Sequence, residues 1–368
     1  DQGRVHGPYE IEAGLERIMV SASAFVPAQA PHVQSSELCA TCHTLFTPAV
    51  DGQGHRIGDF PEQTPYLEWK HSAYRETQSC QDCHMPEVEA PVAIASVLAE
   101  PRENVSRHVF RGGNAFMLQV LDRHRDELGV TTPAEDLERS VQATLEHLQS
   151  SSARLEITEP RVSDGEAVFQ VRVTNLAGHK LPSAYPSRRA WLHVTVFDDG
   201  GRKLFESGAL EPDGSIAGND NDGDASVYEP HHEEISSVEQ VQVYEPIVHD
   251  HRGEVTTSLL SGVTYAKDNR LLPRGFDKST ADDAVQVHGA AGADADFRDG
   301  EDTVRYRLAL PPEVLAVRVS AEFLYQTIGY RWAHNLGAYD SDEAHRFVGY
   351  YEENTDLSTV VLATAETD

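Results

Sequence analysis

Two periods of hydrophobic spacing divide this chain of 368 residues. From Asn114 to Leu128, the residues Phe116, Val120, Leu121 and Leu128 recur at intervals that place them near one face of a helix. A second helix follows, with Thr132 suited to the N-cap, Pro133 to the first helical position, and Glu135 completing a capping box. Leu137, Val141, Leu145 and Leu148 continue the helical spacing until Ser150, Ser151 and Ser152 end it. At Ala153 the period changes to two. Phe169, Val171 and Val173 alternate with Gln170, Arg172 and Thr174, and Leu192, Val194 and Val196 with His193 and Thr195, as half-buried strands require. Residues 238–244, 304–310 and 314–325 are further strand candidates, with Gly- and Asp-rich turns between them.

This pattern predicts an α+β protein in three parts. Residues 1–152 read as a loop-rich region with short helices around its cysteines and two longer helices at its end. Residues 153–325 read as an antiparallel β-sandwich-like module of about 160 residues. The aromatic and His-rich residues 326–368 read as a short C-terminal helical segment and tail, expected to fold back onto the cysteine-bearing region.

Charge narrows the set of partners. Sixty acidic side chains face thirty Lys and Arg, a formal net charge of −30. Such a surface repels nucleic acid and anionic lipid, and suits solubility in a saline medium or the steering of a basic redox partner. No uninterrupted apolar run of about 18 residues is present, so no membrane span is expected. The chain starts at Asp1 with neither a start Met nor a basic-then-apolar leader, which reads as an exported product after signal removal.

Only four cysteines occur, and all fall in two CxxCH motifs, Cys39-Ala40-Thr41-Cys42-His43 and Cys80-Gln81-Asp82-Cys83-His84. Two thiols three positions apart on one helical turn can meet the two vinyl groups of a porphyrin, and the adjacent imidazole then reaches the iron. A four-cysteine zinc site would need no histidine after either pair. With 18 histidines in the chain, both arise by chance in roughly one such chain in 400. A thioredoxin-like dithiol would need a βαβ setting that the pattern lacks. The motifs therefore predict two covalently bound haem c groups, with His43 and His84 as the first iron ligands.

Two irons call for two further ligands. Met85 directly follows His84 and cannot reach the opposite face of its own haem, and Met19 and Met117 are the only other methionines. Bis-His ligation is thus expected. His179, at a Gly/Pro turn between two strands, is the first candidate. His108 is the second, just before a helix, with Gly112 and Gly113 permitting close approach of backbone to a flat cofactor. His71, His231 and His232 come next, followed by His334 and His345. Arg188 and Arg189 are candidates to pair with haem propionates or to form ordinary ion pairs. The stretch Gly218-Asn219-Asp220-Asn221-Asp222-Gly223-Asp224 carries enough oxygen ligands for calcium, but its spacing departs from the EF-hand pattern, so a plain acidic turn is the alternative.

The run from Asn175 to Leu192 (Asn-Leu-Ala-Gly-His-Lys-Leu-Pro-Ser-Ala-Tyr-Pro-Ser-Arg-Arg-Ala-Trp-Leu) resembles a segment of bacterial and archaeal multihaem c-type cytochromes. Cys80 to Pro86, His108 to Asn114, and Lys267 to Pro273 are similar to other segments of that family. The resemblance implies that His179 and His108 are distal haem ligands and that the chain transfers electrons outside the cytoplasm, in the periplasm, at the cell surface or in the medium. It further implies redox partner proteins or an extracellular acceptor, and some members resemble subunits of extracellular cytochrome filaments. The chain departs from the family in having Ser183-Ala184 where a Thr-Gly pair is usual, and only two haem motifs. A self-associating electron carrier is expected, rather than an enzyme; a haem reductase with one open iron is the alternative.

Overall fold

The computed structural model describes residues 3–95 and 98–367. Two five-stranded sheets face one another. The first runs Glu234–Ile235, Glu301–Ala309, Glu166–Asn175, Ala153–Ile157, with Arg161–Ser163 also paired to Glu166–Asn175. The second runs Val243–Tyr244, Arg189–Asp198, Val317–Gln326, Thr359–Glu366, with Lys203–Ser207 on Arg189–Asp198. All these pairs are antiparallel except the short parallel contact of Glu234–Ile235.

Period-two alternation explains the first sheet. Ala167, Phe169, Val171 and Val173 point inward and are fully or almost fully buried, while Gln170 and Arg172 face out. They meet Val304, Tyr306 and Leu308 from the neighbouring strand, with the Phe169 and Tyr306 rings stacked 5.0 Å apart. The strand Arg189–Asp198 is buried on both faces. Leu192, Val194 and Val196 enter the inter-sheet core, while Trp191 joins a second cluster with Ile216, Val241, Val243 and Leu324. Each fully buried large side chain contributes about 1.5–3 kcal/mol.

The flanking elements differ in detail from the pattern's forecast. Within 238–244 only Val243–Tyr244 pairs, and Val238 is exposed. The strand expected from 314 starts at Val317, because the turn that follows Pro311 and Pro312 leaves Leu315 in solvent. The last stretch is a strand, not a tail: Thr359–Glu366 pairs along Val317–Gln326. Two helices precede it, Tyr330–His334 and Asp342–Glu353. They pack Ala333 and Tyr351 on Phe116 and Val120 of the helix Ala115–Arg123.

Asn114 caps that helix by accepting from the Met117 amide. The next helix, Ala134–Ser151, begins one residue later than the Thr132 capping box predicts. Pro133 takes the N-cap position and its carbonyl accepts from the Asp136 and Leu137 amides, while the Thr132 carbonyl accepts from Arg125. Leu137, Val141 and Leu148 line its buried face.

The cysteine-bearing region contains more strand than its irregular pattern suggests. Arg4–Gly7 lies parallel to Val26–Gln29, and Leu45–Val50 forms a hairpin with Arg56–Gln63. The hairpin docks Phe60 on Tyr265 at 4.8 Å, and the Tyr265 hydroxyl donates to the Pro61 carbonyl at 2.6 Å. Among the described residues no helix is long and apolar enough to cross a membrane.

Candidate haem site

Cys80 and Cys83 sit on one helical turn, Cys80–His84, whereas Cys39 lies in the short helix Ser36–Ala40 and Cys42 in the turn that follows it, with the Cys42 amide donating to the Cys39 carbonyl. The Cys80–His84 turn is fixed by a complete capping box between Ser79 and Asp82, so Cys80 and Cys83 emerge on one face, followed at once by His84. The two turns lie side by side. The Cys80 amide donates to Ser36 Oγ at 3.1 Å, and Gln81 Nε2 donates to the Ser35 and Val33 carbonyls at 2.8 and 3.2 Å. All four cysteines are free thiols, with Cys42 and Cys83 exposed. Burial, with help from Cys80 and Cys42, pushes the Cys39 thiol up to about 11, and burial also raises Cys83.

The second motif reaches across to the β module. His84 and His179 face one another with ring centroids 6.2 Å apart and planes only 11° from parallel. Each ring has its Nδ1 held by a carbonyl, Arg111 O for His84 and Lys180 O at 2.8 Å for His179. A carbonyl acceptor fixes the Nδ1–H tautomer and leaves Nε2 as the free lone pair. A metal–imidazole bond is about 2 Å; two such bonds plus the distance from each nitrogen to its ring centre span about 6 Å. At that spacing the two imidazoles could hold one metal ion between them. Burial lowers the basicity of His179, opposed by the Glu68 carboxylate, so the imidazole stays neutral.

The first motif has no matching partner. His43 is exposed, and its basicity is lowered by partial desolvation and then by His84 and Arg188. Among the described residues no second imidazole is stacked against it. His108 is exposed, with its ring edge-on to Phe110 at 4.7 Å. The adjacent glycine serves a different approach from the one expected. A Cβ on Gly113 would lie 2.9 Å from the Tyr325 hydroxyl and 3.5 Å from Arg188. Tyr325 and Thr327 both donate to the Gly113 carbonyl.

The remaining histidine candidates are engaged elsewhere. His71 Nε2 is 3.2 Å from Asp282. His231 is buried, with Nε2 on Asp294 at 3.0 Å and Nδ1 accepting from Gln242 and Asn269. Those two amides are oriented by the His232 amide and the Val243 carbonyl, so the Nε2 proton of His231 is retained and the His231–Asp294–Asp302 group is a hydrogen-bond network. His232 pairs with Glu229 at 2.5 Å, His334 stacks on Tyr330, and His345 is exposed.

Arg189 forms the ordinary ion pair: it is buried against Asp222 at 2.7 Å and Gln326. That contact also organises the acidic stretch suited to calcium, since the Asp222 carboxylate is taken by a guanidinium and the Ile216 amide, and Asp224 by Ser226. Arg188 has no carboxylate partner among the described residues and lowers the basicity of both His43 and His179, which places its charge near both haem motifs. His147 joins the site without having been singled out in the sequence. Its ring lies 5.7 Å from His84 at 57°. Its place on the helix Ala134–Ser151, between the buried Thr144 and Leu148, was the only signal.

No family model matches the chain, and no curated protein matches it. Among solved structures it is similar to the crystal structure of a penta-heme cytochrome c552 from Thermochromatium tepidum, with a TM-score of 0.50 and 16% identity. The match covers 99% of this chain and 68% of that one. The chain therefore has a multihaem-cytochrome-like α+β fold.

Proposed function

We propose that this chain is an extracytoplasmic electron carrier with two covalently bound haem c groups, the second held axially by His84 and His179. The near-parallel imidazoles, each with its Nδ1 anchored, carry this reading. Haem supplies a one-electron iron couple; the chain's residues hold and tune it. Cys39, Cys42, Cys80 and Cys83 would anchor it through their thiols, His43 and His84 would supply imidazole, and Arg188, with no carboxylate partner among the described residues, would be available to pair with a propionate. The adjoining helical turns at the two motifs keep the centres close enough to exchange electrons. We do not include calcium, because Arg189 occupies the carboxylate that site would need.

His108 is the chain's own candidate for the first iron. Its exposure, beside an exposed Phe110, favours a second reading in which a histidine of a neighbouring subunit completes that iron in a self-associated, filament-like assembly. A haem reductase would instead leave that position open. Mass spectrometry and EPR of the purified oxidised protein test the whole. The expected result is the added mass of two haems and, for His179→Ala, conversion of one low-spin centre to high-spin. No haem mass, or a His179→Ala spectrum identical to wild type, overturns the proposal. A high-spin first haem that stays high-spin at every protein concentration supports the reductase.

A further inference from the structure

The turn that carries His179 belongs to the β module, whereas the iron it would complete is anchored about a hundred residues earlier, on Cys80 and Cys83. Something must hold these two parts in register, because a displacement of about 1 Å is enough to spoil a metal site. The contact that does so is a buried carboxylate. Glu68, on the short helix Pro65–Lys70 between the two CxxCH motifs, has no exposed surface. Its Oε2 accepts the Lys180 amide at 3.1 Å and the Ser183 hydroxyl at 2.6 Å. Its Oε1 lies 3.0 Å from Arg270 Nη1, an ion pair outside hydrogen-bond alignment. Lys180 is the residue after His179, so Glu68 grips the peptide bond next to the ligand. From the other side, Asn175 Nδ2 donates to the His179 carbonyl at 2.8 Å. Neighbours on the same segment complete the seat. Trp69 and Tyr74 lie 3.3 and 3.6 Å from where a Cβ on Gly178 would be, and the Tyr74 hydroxyl donates to Leu176 O at 3.2 Å.

The charges around Glu68 balance. Lys180 Nζ is 2.6 Å from Asp268, and Arg270 bridges Asp268 and Glu68, giving two buried cations and two buried anions. Nothing in packing alone requires four ions here, and a carboxylate is costly to bury. A carboxylate beside the ligand's own peptide bond has an electrostatic consequence. Oxidised haem carries one more positive charge than reduced haem, so a fixed negative charge nearby stabilises the oxidised state.

We infer that Glu68 is the positioning residue for the second haem, clamping the His179 turn onto the haem-bearing segment and lowering that haem's reduction potential. This rests on the reading that His179 is its ligand. The test uses the haem-loaded chain carrying Glu68→Gln, Glu68→Asp, Ser183→Ala or His179→Ala, with redox titration followed by EPR and with cyanide capture. Glu68→Gln shifts the redox equilibrium of one haem on the order of tenfold toward the reduced form, which is 59 mV for one electron, and leaves the other haem nearly unchanged. Glu68→Asp restores most of the shift. Ser183→Ala keeps the charge but loosens the clamp, so cyanide displaces the distal ligand of one iron several-fold faster. Equal shifts at both haems, or none, overturn the inference. If Glu68→Gln yields no haem-loaded protein, an unchanged cyanide rate in Ser183→Ala overturns it alone. If His179→Ala leaves both irons low-spin, the ligand reading itself fails. If it produces a high-spin iron while the Glu68 and Ser183 variants behave as wild type, only the role of Glu68 falls.

Discussion

Replacing Lys180 by methionine tests how the ionic group behind His179 contributes to stability. Lys180 has no exposed surface; its Nζ donates to Asp268 at 2.6 Å and to the Gln286 carbonyl at 3.2 Å. Burial pushes its basicity down, and Asp268 opposes that shift. Methionine fills a similar volume but leaves one cation against two carboxylates and an unpartnered carbonyl. Breaking a buried pair from one side costs about 3–5 kcal/mol, which for a chain of this length lowers Tm by about 4–6 °C. Asp268→Asn alone errs the other way, leaving two cations to Glu68. The double variant Lys180→Met/Asp268→Asn returns the group to neutrality through the Arg270–Glu68 contact. Its cost should be no greater than that of either single change, a coupling of about 3 kcal/mol or more. Urea and thermal unfolding followed by circular dichroism on the four proteins read this directly. Additive losses, or a Lys180→Met cost under about 1 kcal/mol, would refute the view that charge balance governs this group.

The same group sets an acid limit. Burial raises the Asp268 carboxyl, but Arg270 and then Lys180 more than reverse this and hold it well below the ordinary carboxylate range. A folded value below the unfolded one gives stability that is present above about pH 4 and lost as pH falls further. Unfolding midpoints should therefore drop steeply below that pH in wild type and more gently in Asp268→Asn. Ala184 has a φ of 72°, a left-handed conformation that costs a Cβ-bearing residue about 1–2 kcal/mol. Glycine recovers this less its own entropic cost, so Ala184→Gly should raise stability by about 0.5–1 kcal/mol in urea melts, and a loss would contradict the backbone assignment. Tyr244→Phe removes the hydroxyl that donates to the buried Asp302 at 2.6 Å, and should cost about 1–3 kcal/mol in the same melts.

Alternation made the sandwich legible because Phe169, Val171 and Val173 face a core on one side and water on the other. It served less well for Arg189–Asp198, which is covered on both faces, so Trp191 and Ala190 carry no period-two signal. The edge strand Thr359–Glu366 was hidden for a related reason: its run of Val360, Val361 and Leu362 lacks alternation and follows two helices. Around the cysteines, pairing partners such as Arg4–Gly7 and Val26–Gln29 are short and contain no fully buried residue, and no hydrophobic rhythm marks them. At the site, motif chemistry located both thiol pairs, and turn chemistry singled out His179. The apposition of His147 and the grip of Glu68 were not legible, because each depends on tertiary contacts with residues far away in sequence. Ser183-Ala184, a departure from the familiar Thr-Gly pair, keeps the hydroxyl that Glu68 accepts and tolerates the left-handed turn without glycine.

The distance in sequence between His84 and His179 has a consequence for how such a chain matures. If His84 and His179 hold one iron, as proposed above, the link between them would tie a loop on the order of 100 residues, and a covalent tie of that span restricts the denatured ensemble by about 4–5 kcal/mol. The bound cofactor would then act as a staple between the two halves of the polypeptide. Losing the staple should speed opening of the interface more than it slows its formation.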